Sequence, residues 1–162
     1  MNLKQYFDEN YGTGVMATAD KDGTVDAAIY SRPHVFEDGT VAFLLRERLT
    51  YNNVQANPYA TYLFVESGTG YSGIRLYLKM IKEDNDPDLI AKMTRSWLSP
   101  QEDKAKGAKH LVHFKIEKIL QLIGSEQADI KITSPLHFSY FPILANLAPD
   151  LHYSQLIIKR NT

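Results

Sequence analysis

Two strand-turn-strand units in immediate succession constrain this chain more than any other feature. GVMATA at Gly14 to Ala19 reads as a strand, DKDG at Asp20 to Gly23 as a tight turn, and TVDAAIYS at Thr24 to Ser31 as the returning strand. PHVF, the turn EDGT at Glu37 to Thr40 and the apolar run VAFLL at Val41 to Leu45 repeat the arrangement. Antiparallel neighbours need only a short turn, whereas parallel ones need a long crossover. Two hairpins with no helix between them therefore specify an antiparallel meander and argue against a parallel α/β sheet.

The rest of the chain supplies further strands and small joints. Leu3, Tyr6 and Phe7 have helical spacing ahead of Gly12 and Gly14, which would end such a helix. Leu49 to Ala56 reads as one short helix with Thr50 at the N-cap, stopped at Asn57 because Pro58 disfavours helical geometry in the residue before it. ATYLFVE at Ala60 to Glu66 is strand-like, and IRLYLKMIK alternates Ile74, Leu76, Leu78 and Met80 with polar partners, as a half-buried strand does. Asp86 and Pro87 open a helix whose apolar face is Leu89, Ile90, Met93 and Trp97. Ser99 to Lys109 reads as a solvated loop, and His110 to Gly124 as a long, bent final strand. Six strands with helices at the joints predict a mainly β fold, an antiparallel six-stranded barrel, since closure removes exposed sheet edges. Residues 1–124 form this domain. Residues 125–162 form an extension containing Pro135, Pro142 and Pro149, whose apolar content predicts docking on the barrel or on a partner subunit.

Composition narrows the function classes. With 162 residues, 44% hydrophobic, 23% charged and a net charge of -1, the chain has the profile of a soluble globular domain. That balance argues against a nucleic-acid or membrane partner, and Tyr30, Tyr62 and Tyr77 read as packed strand residues before base-stacking platforms. The absence of cysteine excludes disulfides, thiolate metal sites and cysteine nucleophiles. MNLKQYFDENYGTG lacks the apolar core of a secretory signal, and no run is long enough to span a bilayer, so a cytoplasmic location is expected.

Most motif matches fail on context. Gly68 to Gly73 spells G-x-G-x-x-G but opens into a strand, so no helix N-terminus is there to hold a pyrophosphate. His110 and His113, three apart on a strand, point to opposite faces, and His34, His137 and His152 have no carboxylate cluster at ligand spacing. No metal site is expected. No G-x-S-x-G elbow occurs, and no catalytic acid or base stands out.

RERLTYNN is different. Arg46 and Arg48 share a face if the strand extends that far, and Thr50 with the free amides of the next helix lies beside them. Guanidinium groups, a hydroxyl and helix N-terminal amides converging on one point suit a phosphate dianion.

At these residues the chain resembles the pyridoxamine 5'-phosphate oxidase-like family of FMN-binding split barrels. The resemblance runs over Gly14 to Gly124, through ATADKDGTVDAAIYSRP, EDGTVAFLLRERLTYNNVQANP and ATYLFVESGTGYSGIRLYL. It implies a homodimer with FMN in the cleft between subunits, a probable oxidoreductase of unknown substrate. By position, it makes Arg48 and Thr50 the first phosphate contacts, with Arg46, the Leu49 backbone and Asn53 behind them. Ile29, Tyr30, Ser31 and Arg32, together with Phe43 and Leu44, would border the ring, and the second subunit would add Arg75 or Tyr77. The chain departs from the oxidases at Thr50, where they carry lysine, and at Ala28, where they carry arginine. Their tryptophan and arginine-rich ending has no match after Gly124, so oxidation of a vitamin B6 phosphate is not implied. Two alternatives stay open. One is a haem-binding split barrel using His110, His113, His137 or His152, and the other is a ligand-free scaffold.

Overall fold

The structure is a computed structural model and describes residues 1–94 and 99–132. Among them, one sheet of seven antiparallel strands runs in the order β2-β1-β5-β6-β7-β4-β3. The strands are β1 (Gly12–Ala19), β2 (Val25–Tyr30), β3 (His34–Val35), β4 (Val41–Arg46), β5 (Tyr59–Glu66), β6 (Gly73–Asp84) and β7 (Lys109–Gln121). The described strands number seven where a six-stranded barrel was expected, and β3, the PHVF arm of the second hairpin, is only a two-residue ladder pairing His34 with Ala42 and Val35 with Val41.

Local chemistry explains both hairpin turns. Asp20 Oδ1 accepts from the amides of Asp22 and Thr24, and Asp38 Oδ1 accepts from the amide and hydroxyl of Thr40. Those bonds, led by the one from Thr24 for Asp20 and by the Thr40 hydroxyl for Asp38, hold each carboxyl below its ordinary value. The glycine-rich segment after β5 is a hairpin loop to β6, where the Glu66 amide bonds the Ser72 carbonyl.

The sheet curls because β6 and β7 are long and irregular, with register shifts at Tyr77/Leu78 and Met80/Lys82. Curling turns one face inward. Tyr62, Phe43, Phe64 and Phe114 fill it, each no more than 2% exposed, with Met16, Leu76 and Leu78 between them. Helix α1 (Leu3–Glu9) adds Leu3, Tyr6 and Phe7 to that core, and it stops at Asn10, before the glycines. Tyr30 on β2 meets Phe43 on β4 edge to face at 6.4 Å, which brings the two sides of the curled sheet together.

Helix α2 (Leu49–Ala56) sits across that seam, contacting β1, β2 and β4. Its N-cap is Arg48, in extended conformation, where the sequence suggested Thr50. Thr50 instead is buried inside the first turn. Helix α3 (Pro87–Met93) is capped by Asp86, as expected, while Trp97 lies outside the described residues. The Ser99 to Lys109 segment contains a helix, α4 (Pro100–Ala105), where a loop was expected. Ser99 and Glu102 form a reciprocal capping box that stabilises it, with Pro100 preset for the first turn.

After Gly124 the chain turns back on the sheet. The Ala128 amide bonds the Ile119 carbonyl, and Lys131 exchanges backbone bonds with Met1 and Leu3. Ala128 and Ile130 pack on the core. Pro135, Pro142, Pro149, His137 and His152 lie outside the described residues.

Candidate functional site

The turn from β4 into α2 sorts the three charges of Arg46-Glu47-Arg48 by geometry. The strand ends at Arg46, so Arg46 and Arg48 do not share a strand face. Arg46 turns to α4, donating 2.6 Å to Asp103 Oδ1, 3.1 Å to the Asp103 carbonyl and 2.7 Å to the Gly107 carbonyl. Lys109 approaches the other Asp103 oxygen at 2.5 Å. Hydrogen bonding from Lys109 is the largest influence holding the Asp103 carboxyl below its usual range.

Arg48 is left at the helix start. Its side chain is exposed and makes no cap hydrogen bond. The amides of Leu49, Thr50 and Tyr51 belong to the first turn, where a helix has no internal acceptor for them. Positive charge and unsatisfied donors thus coincide at one corner, where the helix dipole is also positive.

Beneath the corner lies a buried polar patch. Thr50 is 4% exposed and lies close enough to the Tyr30 hydroxyl to influence it. Burial pushes the Tyr30 phenol up, against smaller opposing effects from Thr50 and Arg48. Asn53, also buried, donates 3.0 Å to Thr18 Oγ1. That bond fixes α2 to β1, and α2 also packs on β2, so buried Thr50 and Asn53 lie beneath the corner. Leu49 is 57% exposed at the start of the helix.

The other residues singled out from the sequence fall into three groups. Phe43 and Leu44 on β4, with Tyr30, border the seam, and Ile29 stands 79% exposed on the outer side of β2. Ser31 uses its carbonyl to receive the Tyr62 hydroxyl at 3.1 Å. Arg32 and Arg75 are tied down elsewhere: Arg32 donates to the carbonyls of Phe7 and Asn10 at the end of α1, and Arg75 to those of Gln121 and Gly124. Tyr77 lines a groove of about 250 Å³ on the outer face of the sheet, with Ala17, Val25, Tyr59, Thr61 and Glu117. Tyr59, Thr61 and Glu117 carried no motif, and only strand alternation with Tyr77 hinted at their shared face.

The two described histidines of the haem alternative are both enclosed. His110 Nε2 lies 3.0 Å from Glu47 Oε1, and its Nδ1 lies 2.7 Å from both Glu83 Oε1 and Asn85 Oδ1. His113 is 4% exposed under the Phe36 ring, and burial pulls its pKa below the ordinary value. Among the described residues no group of three His, Asp or Glu side chains is placed to hold a metal ion. No helix among them is long and apolar enough to cross a membrane.

A curled antiparallel sheet with a short helix over its seam and a cationic corner beside that helix defines the split-barrel class. Solved structures agree on the fold. An FMN-binding protein from Syntrophomonas wolfei subsp. wolfei matches with TM-score 0.58 and 20% identity, over 73% of this chain and 82% of that one. A candidate pyridoxamine 5'-phosphate oxidase from Lactobacillus delbrueckii matches at TM-score 0.54 and 14% identity, covering 74% and 93%. HutZ, a haem storage protein of Vibrio cholerae, matches at 0.53 and 16%, covering 75% and 95%. No protein-family model and no curated protein sequence matches the chain. The expected resemblance to the pyridoxamine 5'-phosphate oxidase-like split barrels thus holds at the level of the fold.

Proposed function

We propose that this chain is an FMN-binding split-barrel flavoprotein that acts as a homodimeric oxidoreductase in the cytoplasm. The observation that carries the reading is the charge arrangement of the β4–α2 turn. Arg46 is matched by Asp103, whereas Arg48 stands exposed at the start of a helix with free first-turn amides. A phosphate monoester suits such a corner. The Tyr30–Phe43 seam next to it offers an aromatic border for a ring attached to that phosphate.

The outer face supports the dimer. Val25 and Ile29 are 74% and 79% exposed there, beside Val15 and Ala17 of β1, and apolar side chains held open together mark interaction surfaces. The groove at Tyr59 and Tyr77 opens on the same face, and a second copy docking there would help to complete a ring site. When bound, FMN supplies the electron or hydride transfer. The chain's part is to hold the phosphate through Arg48 and the amides of Leu49 to Tyr51 and to shield the ring from water. Arg32, Arg46 and Arg75 are committed to carbonyls or to Asp103, so they are not part of the phosphate set proposed here.

The fold neighbours include both an FMN-binding protein and a haem storage protein. The occupied nitrogens of His110 and the burial of His113 favour flavin. Purified protein is expected to be yellow, to run as a dimer and to release FMN on denaturation. Arg48→Ala should weaken FMN binding roughly 10- to 100-fold, the loss of one charge-assisted phosphate contact, with circular dichroism and dimer mass unchanged. A colourless monomer that ignores added riboflavin 5'-phosphate would overturn the reading, and a red preparation with a Soret band would replace flavin by haem.

A further inference from the structure

Between the two arginines of the anion corner sits a carboxylate, Glu47, that ought to compete with any incoming anion. It is held aside. His110, at the start of β7, reaches Glu47 Oε1 with Nε2 at 3.0 Å, while its Nδ1 is 2.7 Å from Glu83 Oε1 at the end of β6. Both ring nitrogens can donate to carboxylates only in the imidazolium form. Tyr51 of α2 stacks on the imidazole with ring centroids 4.5 Å apart, and it donates its hydroxyl to Glu83 Oε2 at 3.0 Å. Gln55 of α2 donates to the same oxygen at 2.8 Å, and Asn85 faces the ring from the β6–α3 turn. The imidazole is thus enclosed by β6, β7, α2 and the β4–α2 turn, with its side chain only 13% exposed.

We infer that His110 is a positioning residue for the anion site, acting as a strap that draws the Glu47 carboxylate away from Arg48. The inference rests on the flavin-phosphate reading of that corner and adds how its net charge is set. In the sequence the turn carries two positive charges and one negative. In the fold Asp103 takes Arg46 and His110 takes Glu47, while Arg48 stays exposed with no cap hydrogen bond. Glu47 is 61% exposed and adjacent to Arg48 in the chain, so without His110 its carboxylate would be free to pair with that arginine.

The test is a suppressor experiment on the full chain. His110→Phe keeps an aromatic ring against Tyr51 but donates nothing to Glu47. It should weaken FMN binding by roughly tenfold, the scale of one screened charge contact near a surface. Glu47→Gln alone should bind FMN as the wild type does, and adding it to His110→Phe should restore affinity. A purely structural role for His110 predicts no such rescue. Undiminished binding in His110→Phe, or a double variant as weak as the single, would overturn the strap. Should His110→Phe fail to fold, His110→Leu, which also has no donor for Glu47, carries the same comparison.

A ligand-free measurement separates this inference from the flavin reading. By NMR, the Arg48 Nε–H should exchange with water more slowly in His110→Phe than in wild type, because Glu47 then pairs with it. If the wild type takes no FMN yet this slowing occurs, the flavin reading fails and the strap stands. Unchanged exchange sinks the strap whatever binds.

Discussion

Arg46 Nη2 and Asp103 Oδ1 lie 2.6 Å apart, and Lys109 Nζ lies 2.5 Å from the second oxygen of the same carboxylate. One anion therefore ties β4, β7 and α4 together with two cations that are only 17% and 12% exposed. Asp103→Ala should destabilise the fold by about 1–3 kcal/mol, because two half-buried cations lose their counter-charge. Urea denaturation at neutral pH measures it.

The same carboxylate sets an acid dependence. Its folded pKa lies below the ordinary 3.8, so its contribution is present above that value and is lost as pH falls through the folded pKa. Asp103→Asn should lack that increment. The gap between the two proteins in unfolding free energy should narrow as pH is lowered below 3.8.

His113 has the opposite sign. Burial lowers its folded pKa below 6.5, and its Nε2 has no hydrogen-bond partner. The unfolded chain binds the proton more tightly, so stability should fall as pH drops below 6.5. His113→Phe should remove that slope while leaving the fold intact. An equal slope in the variant, read from melting temperatures across the range, would assign it to other groups.

Asn53 and Thr18 form a buried side-chain bond between α2 and β1. Asn53→Ala leaves the Thr18 hydroxyl without its donor and should cost about 1–3 kcal/mol. Thr18→Val should cost a similar amount, and the double variant should cost less than the sum. Hydrogen exchange should show the loosening concentrated in α2, with FMN affinity reduced in parallel if the anion corner rides on that helix.

At Gly14 the Tyr62 side chain and β2 press against the β1 backbone. A Cβ there would meet the Tyr62 hydroxyl and come within 2.6 Å of the Tyr30 carbonyl. Gly14→Ala should cost about 1–3 kcal/mol by overpacking. It should also break the Tyr62 bond to Ser31 at the edge of the seam. Thermal melts report the first effect, and NMR of the Tyr62 hydroxyl proton, which would exchange faster with water, reports the second.

Local signals were legible where the chemistry is local. The hairpins at Asp20 and Asp38, the Asp86 cap and the end of α2 at Asn57 all lie within a few residues of the groups that cause them. Ser99, Pro100 and Glu102 also spelled a helix start, yet the charged run after them read as loop. PHVF was legible as the partner of VAFLL, but that its ladder would shrink to the two residues His34 and Val35 was not.

The sequence by itself determined an antiparallel, turn-rich sheet and a charged turn before a short helix, because strand period, turn carboxylates and a proline stop act over neighbouring residues. Which of those charges faces a ligand was decided only by the fold. Asp103 lies 57 residues from Arg46 and His110 lies 63 from Glu47, and no spacing rule connects them. Curling of β6 and β7 brings these distant groups within hydrogen-bond reach, and Coulomb attraction at close range then selects Arg48 as the cation left over.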